Sequence, residues 1–262
     1  MPRSIITLTT DFGVSDHYVG TMKGVILSVH PDAQLVDISH DVSPFNVAEA
    51  AFVLSQAYCH FPKRTVHLVV VDPGVGTSRR PIIAEAAGQF FVAPDNGVLS
   101  MIYSREKHKV RTITSDKVFL KPVSDTFHGR DVFAPVAAHL AKSRAPGRFG
   151  NACNDYLTLG FEKPVRTGKR IWNGAILKID RFGNLITNFH ISEFPVVQTR
   201  PFVMQAGGRE ITELVRTFGD RRPGELFLVT GSSGYLEVVM NQSSAAKALG
   251  VASGAPVDLS IY

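Results

Sequence analysis

Apolar positions in the first half of the chain switch repeatedly between strand-like runs and helical spacing. Ser4 to Thr10 is rich in β-branched residues and ends at Asp11-Phe12-Gly13, which predicts a strand closing on a turn. Gly20 to His30 carries Met22, Val25, Ile26 and Val29 at helical spacing and is stopped by Pro31. Gln34 to Ser39 reads as a second short strand. Val47 to Phe61 reads as a helix, with Ala48, Ala51, Phe52, Leu54 and Ala57 along one face and Pro62 just beyond. Thr65 to Val71 is a continuous apolar run of the kind a strand buried on both faces needs. Pro81 to Ala93 predicts a hairpin turning at Gly88, and Val98 to Arg105 a short helix. Val132 to Lys142 predicts a longer helix with Asp131 as its N-cap.

Strands separated by helices predict an α/β domain with a largely parallel central sheet. The pattern lapses over residues 143–170, a Pro/Gly/basic stretch that is the candidate linker. Beyond it lie short turn-separated strands: Gly174 to Ile179, Leu185 to Phe189, Phe202 to Ala206, Leu226 to Thr230 and Leu236 to Met240. They predict a small antiparallel barrel or sandwich. The expected organisation is an N-terminal α/β domain over 1–165 and a C-terminal β-barrel domain over 166–262, without repeats or low-complexity tracts.

With 262 residues, 44% hydrophobic and 19% charged, the chain has ample material for a core and is not a disordered polymer. Its 28 basic and 23 acidic side chains leave a net charge of +5. The basic residues are scattered in pairs (Lys63-Arg64, Arg79-Arg80, Lys169-Arg170, Arg221-Arg222) rather than gathered in a stripe, so no nucleic-acid partner is expected. No run approaches the roughly 18 apolar residues of a spanning helix, and the first residues lack a secretory pattern. The expectation is therefore a cytoplasmic protein without a membrane segment. Cys59 and Cys153 fit neither a disulfide framework nor a metal knuckle and are expected to be buried thiols in a reducing compartment.

Ligands of open α/β sheets bind beyond the carboxyl ends of the strands, so polar residues just after strands carry the most weight. Four places qualify: Thr9-Thr10-Asp11-Phe12-Gly13, Asp72-Pro73-Gly74-Val75-Gly76-Thr77-Ser78-Arg79, Pro94-Asp95-Asn96-Gly97, and Phe127-His128-Gly129-Arg130-Asp131. Each also reads as ordinary turn chemistry, because Asp and Asn bond their own backbone and Gly supplies positive φ. The glycine-rich run after Asp72 matches neither phosphate-binding fingerprint. No zinc motif and no nucleophile elbow occurs, so metal and Ser-His-Asp chemistry are both disfavoured. His128 stands apart from the other histidines because a glycine, an arginine and a helix start surround it. In the second half, Asp180 and Asn184 flank Phe182 and would offer an acceptor, a donor and an aromatic face to a polar ligand with a heterocycle.

Taken together and in order, these motifs, with Phe127-His128-Gly129-Arg130-Asp131-Val132-Phe133-Ala134-Pro135 and Asp180-Arg181-Phe182-Gly183-Asn184, resemble the S-adenosyl-L-methionine (SAM) hydroxide adenosyltransferases, or SAM hydrolases, relatives of fluorinase and chlorinase. The resemblance runs from about residue 4 to about 260. It implies a homotrimer with active sites between the N-terminal domain of one subunit and the C-terminal domain of the next. It also implies attack of water or hydroxide on the ribose 5′ carbon of SAM, giving adenosine and L-methionine with no cofactor. By resemblance, Asp72, Arg79 and His128 match a triad that holds and activates the water. Asp11 matches a ribose-binding carboxylate, and Phe45 an aromatic beside the nucleoside. Asp180 and Ser232 match groups at the methionine end and Asn184 one near the adenine, with Asp16, Tyr235 and Glu237 as further contacts. Halogenating relatives carry Tyr in place of Asp72, Thr in place of Val75 and Tyr-Ser in place of His128-Gly129, with an insertion after the stretch matching Asn96. Asp72 would also repel a halide, so halogenation is not expected. Two alternatives remain at this stage: a module that binds SAM or adenosine without turnover, and an unrelated metal-dependent phosphoesterase.

Overall fold

The longest apolar run of the first half is the strand buried on both faces. In the computed structural model, which describes residues 4–143, 145–160 and 163–262, Val66–Val70 (β3) is inaccessible along its whole length. Val66, Leu68 and Val70 point into one apolar cluster, with Ile6, Leu8, Met22, Ile26, Phe133 and Leu140. Val69 and Val71 point into another, with Ala50, Leu54, Phe91 and Ile102. Each large side chain so buried contributes roughly 1.5–3 kcal/mol to folding.

The chain divides into two compact units, Met1–Leu159 and Gly160–Tyr262. In the first, Ile5–Thr10 (β1) lies between Gln34–Ser39 (β2) and β3, and β3 pairs with Gln89–Pro94 (β5), all in parallel. Pro81–Ala86 (β4), His108–Thr112 (β6) and Ala152–Cys153 (β7) then add antiparallel strands, in the order β2-β1-β3-β5-β4-β6-β7. The sheet is thus mixed rather than largely parallel, because the predicted hairpin turns the chain straight back. Its two-residue turn, Ala87-Gly88, has left-handed φ values of 52° and 74°, as a tight hairpin requires. Helices Tyr18–Val29 (α1) and Ala134–Ser143 (α4) supply Met22, Ile26, Val136 and Leu140 to one cluster. Val47–Ala57 (α2) and Ser100–Arg105 (α3) supply Ala50, Leu54 and Ile102 to the other.

Three local expectations are corrected. Asp131 does not cap a helix at Val132. The helix begins at His128, and Gly129–Phe133 form a π-helical turn running into α4. Asp131 lies inside that turn, fully buried, accepting from Ser124 N at 2.8 Å and paired with Arg130. The stretch 145–159 is no free linker either, since β7 pairs with β6 and Asp95 Oδ1 accepts from Leu157 N at 2.8 Å. Arg144, Phe161 and Glu162 of the expected linker, and Met1–Arg3, lie outside the described residues. Cys59 is exposed and Cys153 half-buried, so neither is the core thiol expected.

The second unit is built on Ile171–Ile179 (β8), which pairs with Leu185–His190 (β9), and on Leu226–Thr230 (β12) and Tyr235–Met240 (β13), all antiparallel. A strand not seen in the sequence pattern, Pro256–Ile261 (β14), joins β8 to Phe202–Ala206 (β10). The sheet runs from the edge strand Arg209–Ile211 (β11) to the parallel-paired Leu214–Val215, and no ladder among the described residues joins those two edges. Register shifts on both sides of β9 mark irregular pairing there. Ile176, Leu185, Phe189, Met204, Leu236 and Leu259 form its core.

Candidate active site

The two parallel strands at the centre of the first unit each end on an aspartate. Asp11 follows β1 and Asp72 follows β3. Both line a cavity of about 410 Å³ with Phe12, Tyr18, Phe45 and His128. Arg79 donates through Nε to Asp72 Oδ1 at 3.1 Å and pairs through Nη2 with Asp72 Oδ2. It also packs its guanidinium 5.1 Å over the Phe133 ring and contacts His128 Nδ1 through Nη2 at 3.2 Å. The structure therefore brings Asp72, Arg79 and His128 together.

The last contact decides the tautomer of His128. A guanidinium only donates, so Nδ1 must be the unprotonated nitrogen and the proton of the neutral ring sits on Nε2. Burial and the adjacent Arg79 charge both hold the His128 pKa below the ordinary imidazole value. Asp72 is raised above the ordinary carboxyl value because burial outweighs the stabilising effect of Arg79. The arrangement offers one N–H donor and one carboxylate of enhanced basicity at the same wall.

One glycine fixes the approach of the two loops that carry these groups. Gly76 has φ 76°, and a Cβ there would run into the backbone carbonyl of Asp125, so the Asp72 loop lies directly on the loop preceding His128. Gly76→Ala is expected to cost about 1–3 kcal/mol of stability and to lower turnover as the two loops separate. Chemical denaturation and steady-state rates on the purified variant check this, and wild-type values for both would refute the close approach. Gly97 (φ 88°) plays a comparable part elsewhere, where Leu159 packs on its Cα side.

Asp11 has a local task as well. Its Oδ2 accepts from Phe45 N at 2.8 Å and holds Phe45 at a left-handed φ of 65°, with the ring 72% exposed at the cavity rim. Asp16 is exposed and does not line the cavity. Asp95-Asn96 proves to be a clasp: Asp95 pairs with Arg80 at 2.7 Å, and Arg80 also holds Asp155. Among the described residues no three His, Cys, Asp or Glu side chains gather as a metal ligand set. No helix among them is long and apolar enough to cross a membrane.

In the second unit Asp180 is occupied by its own turn. Oδ1 accepts from Phe182 N and Asn184 N, and Oδ2 from the Asn184 side chain, all at 2.9 Å. That bonding pushes Phe182 outward, 77% exposed. Phe182 and Asn184 line a second cavity of about 540 Å³ with Phe218, Met240, Gln242 and Ser244. The last four were not singled out in the sequence; of these Gln242 has a left-handed φ of 54° and Ser244 caps a short helix, accepting from Lys247 N at 3.2 Å. Glu237 has its carboxyl pushed up to about 7 by burial and by the Asp180 charge. Ser232 is exposed on the turn between β12 and β13, and Tyr235 is buried with its ring edge-on to His190 at 5.0 Å.

This combination, a carboxylate–guanidinium–imidazole cluster beyond the carboxyl ends of central parallel strands and a separate β unit, defines a two-unit α/β enzyme class. Residues 6–150 match the SAM hydroxide adenosyltransferase N-terminal domain and residues 174–258 the corresponding C-terminal domain. The chain belongs to the SAM hydroxide adenosyltransferase family. An (R)-S-adenosyl-L-methionine hydrolase of Thermus thermophilus is 38% identical over 266 residues, covering 95% of this chain and 97% of its own. One from Methanocaldococcus jannaschii is 35% identical, covering 94% and 92%. The crystal structure of an uncharacterized conserved protein from Thermotoga maritima superposes with a TM-score of 0.88 at 39% identity, covering 98% of this chain and 99% of that one. A fluorinase from an Actinoplanes species is more distant, 28% identical over 97% of this chain and 96% of its own.

Proposed function

We propose that the protein hydrolyses S-adenosyl-L-methionine, in the (R)-sulfonium form its relatives are named for, to adenosine and L-methionine. The observation that carries this reading is the Asp72–Arg79–His128 cluster on the wall of a cavity that Asp11 also lines. A water held there accepts a hydrogen bond from His128 Nε2–H and gives its proton to Asp72. Its oxygen bonds the ribose 5′ carbon as the carbon–sulfur bond breaks, and the bonding pair neutralises the sulfonium to the thioether of methionine. Water, adenosine, methionine and one proton balance the step. Arg79 keeps Asp72 oriented and, with burial, His128 unprotonated. Positioning in line with the leaving sulfur is the larger demand, and proton acceptance adds roughly 10²–10⁴-fold.

Asp11 binds the ribose hydroxyls through the oxygen not used by Phe45, and Phe45 covers the nucleoside. Asn184 and its cavity take the adenine, while Asp180, Ser232, Tyr235 and Glu237 surround the methionine end, with Asp16 a more peripheral contact. We place these C-terminal groups in the site of a neighbouring subunit, in a homotrimer, which sedimentation would test. The exposed rings of Phe45 and Phe182 support such an assembly. The reaction as written uses no metal and no redox cofactor. The unpaired Cys59 and Cys153 support a cytoplasmic location.

Incubation with the (R) and (S) epimers in halide-free buffer containing EDTA is expected to give adenosine and methionine in equal amounts, faster from (R). Binding without turnover would leave a module that only holds the nucleoside.

A further inference from the structure

The carboxylate assigned above to the ribose sits on a loop anchored by a side chain that never reaches the cavity. His40 follows β2 and is 6% exposed. Its Nδ1 lies 2.9 Å from Thr10 Oγ1, the residue before Asp11. Thr10 Oγ1 also accepts from Phe12 N at 3.3 Å, on the other side of Asp11. The His40 carbonyl accepts from Gly13 N at 2.8 Å. Asp11 is thus bracketed, residue by residue, by contacts that converge on His40.

Thr10 Oγ1 has one proton and two acceptor sites, so it receives the Phe12 N–H and still bonds His40 Nδ1 whichever tautomer the ring adopts. On the other side of the ring, Nε2 lies 3.0 Å from Asp37 Oδ1. Nε2 makes no aligned hydrogen bond there, so the contact with the carboxylate is electrostatic. Asp37 is itself held by Lys23 of α1 at 2.6 Å. Lys23 and His40 together keep its carboxyl below the ordinary value against the opposing effect of burial. A chain of polarised contacts therefore runs from α1 through β2 to the loop that carries Asp11.

We propose that His40 is a positioning residue for substrate binding: through Thr10 it fixes the Asp11 carboxylate in the orientation that receives the ribose hydroxyls. Nothing in the contact geometry involves the attacking water, so its influence falls on nucleoside affinity and not on the chemical step. The proposal rests on the reading of Asp11 as the ribose-binding group.

The test uses side chains that each retain one half of the imidazole. In His40→Asn the amide replaces Nδ1 and can still bond Thr10 Oγ1, as acceptor or as donor. In His40→Gln the amide replaces Nε2 and keeps only the Asp37 side. Adenosine affinity by calorimetry, with KM and kcat for SAM, is measured for both, for Thr10→Val and for Asp11→Ala, after thermal unfolding shows each variant folded. Expected is a roughly tenfold or greater loss of adenosine affinity and rise in KM for His40→Gln and Thr10→Val, at nearly unchanged kcat. His40→Asn is expected to stay within about threefold of the parent, and His40→Gln with Thr10→Val to lose little more than either alone. Loss of affinity in Asp11→Ala with parental values for His40→Gln and Thr10→Val would overturn the proposal and leave the Asp11 reading standing. Parental affinity in Asp11→Ala would instead overturn the reading of Asp11, and the proposal with it. A fall confined to kcat would overturn the positioning role as stated.

Discussion

Asp72→Asn is expected to lower kcat by roughly 10²–10⁴-fold, the range that a positioned proton acceptor supplies. The amide occupies the same space and still faces Arg79, so the KM for SAM should change by no more than about threefold. The pH dependence carries a second signature. Only ionised Asp72 accepts the proton, so activity falls as pH drops through its pKa. Burial raises that pKa, which places the acid limb above the pH of an ordinary aspartate. His128 does not oppose this trend: its lowered pKa keeps the ring neutral across the neutral range, and protonating Nδ1 would set an N–H against Arg79. In Asp72→Asn the acid limb should vanish from the residual rate. A kcat within tenfold of the parent, or an unchanged limb, would assign the proton to another group.

Arg79→Met is expected to show the largest loss of stability at a single position, about 3–5 kcal/mol at pH 7, because it leaves a buried carboxylate without its partner. The side chains of Arg79 and Asp72 are only 7% and 4% exposed, so solvent does little to soften the change. Methionine fills similar space against Phe133 but supplies no charge to Asp72 and no donor to His128 Nδ1. Adding Asp72→Asn to Arg79→Met should recover much of the loss, since the unpaired charge goes with it. Guanidinium denaturation of the two single variants and the double variant measures this directly. A loss under about 1 kcal/mol for Arg79→Met would mean that the pair is solvated and weak. The double variant should turn over no faster than Asp72→Asn alone, which separates the structural contribution of Arg79 from its service to Asp72.

The alternation of apolar runs and helical spacing was enough to read β1, α1, β2, α2, β3 and the β4–β5 hairpin, because each buries a face that its own period displays. The hairpin also explains the limit of that reading. Once Ala87-Gly88 returns the chain, the rest of the sheet is antiparallel, and no periodicity reports which neighbour a strand will choose. Pro256–Ile261 carries the alternation of a half-buried strand, with Val257, Leu259 and Ile261 inward and Asp258 and Ser260 outward, so it was legible but went unread beside the longer apolar runs. Asp131 looked like a helix cap because Asp before an apolar helix usually is one. Its actual partners, Ser124 N and Arg130, depend on a π-helical turn that begins three residues earlier than expected.

The site was legible to a different degree. Asp11, Asp72 and His128 each follow or open an element, and the structure sets all three around one cavity. Pro94-Asp95-Asn96-Gly97 looked equally suitable, yet Asp95 is spent on Arg80 and Leu157 N, contacts that no local pattern announces. His40 carries no motif at all. Its importance lies in two nitrogens meeting Thr10, 30 residues earlier on the neighbouring β1, and Asp37, three residues earlier on β2.

The central claim is that an oxygen atom from water, placed by Asp72 and His128, attacks the ribose 5′ carbon of SAM. Turnover in ¹⁸O-labelled water, with mass spectrometry of both products, tests it most directly. The account predicts one labelled oxygen in the 5′-hydroxyl of adenosine and none in methionine. Unlabelled adenosine, or label appearing in a methionine-derived product such as homoserine, would contradict it.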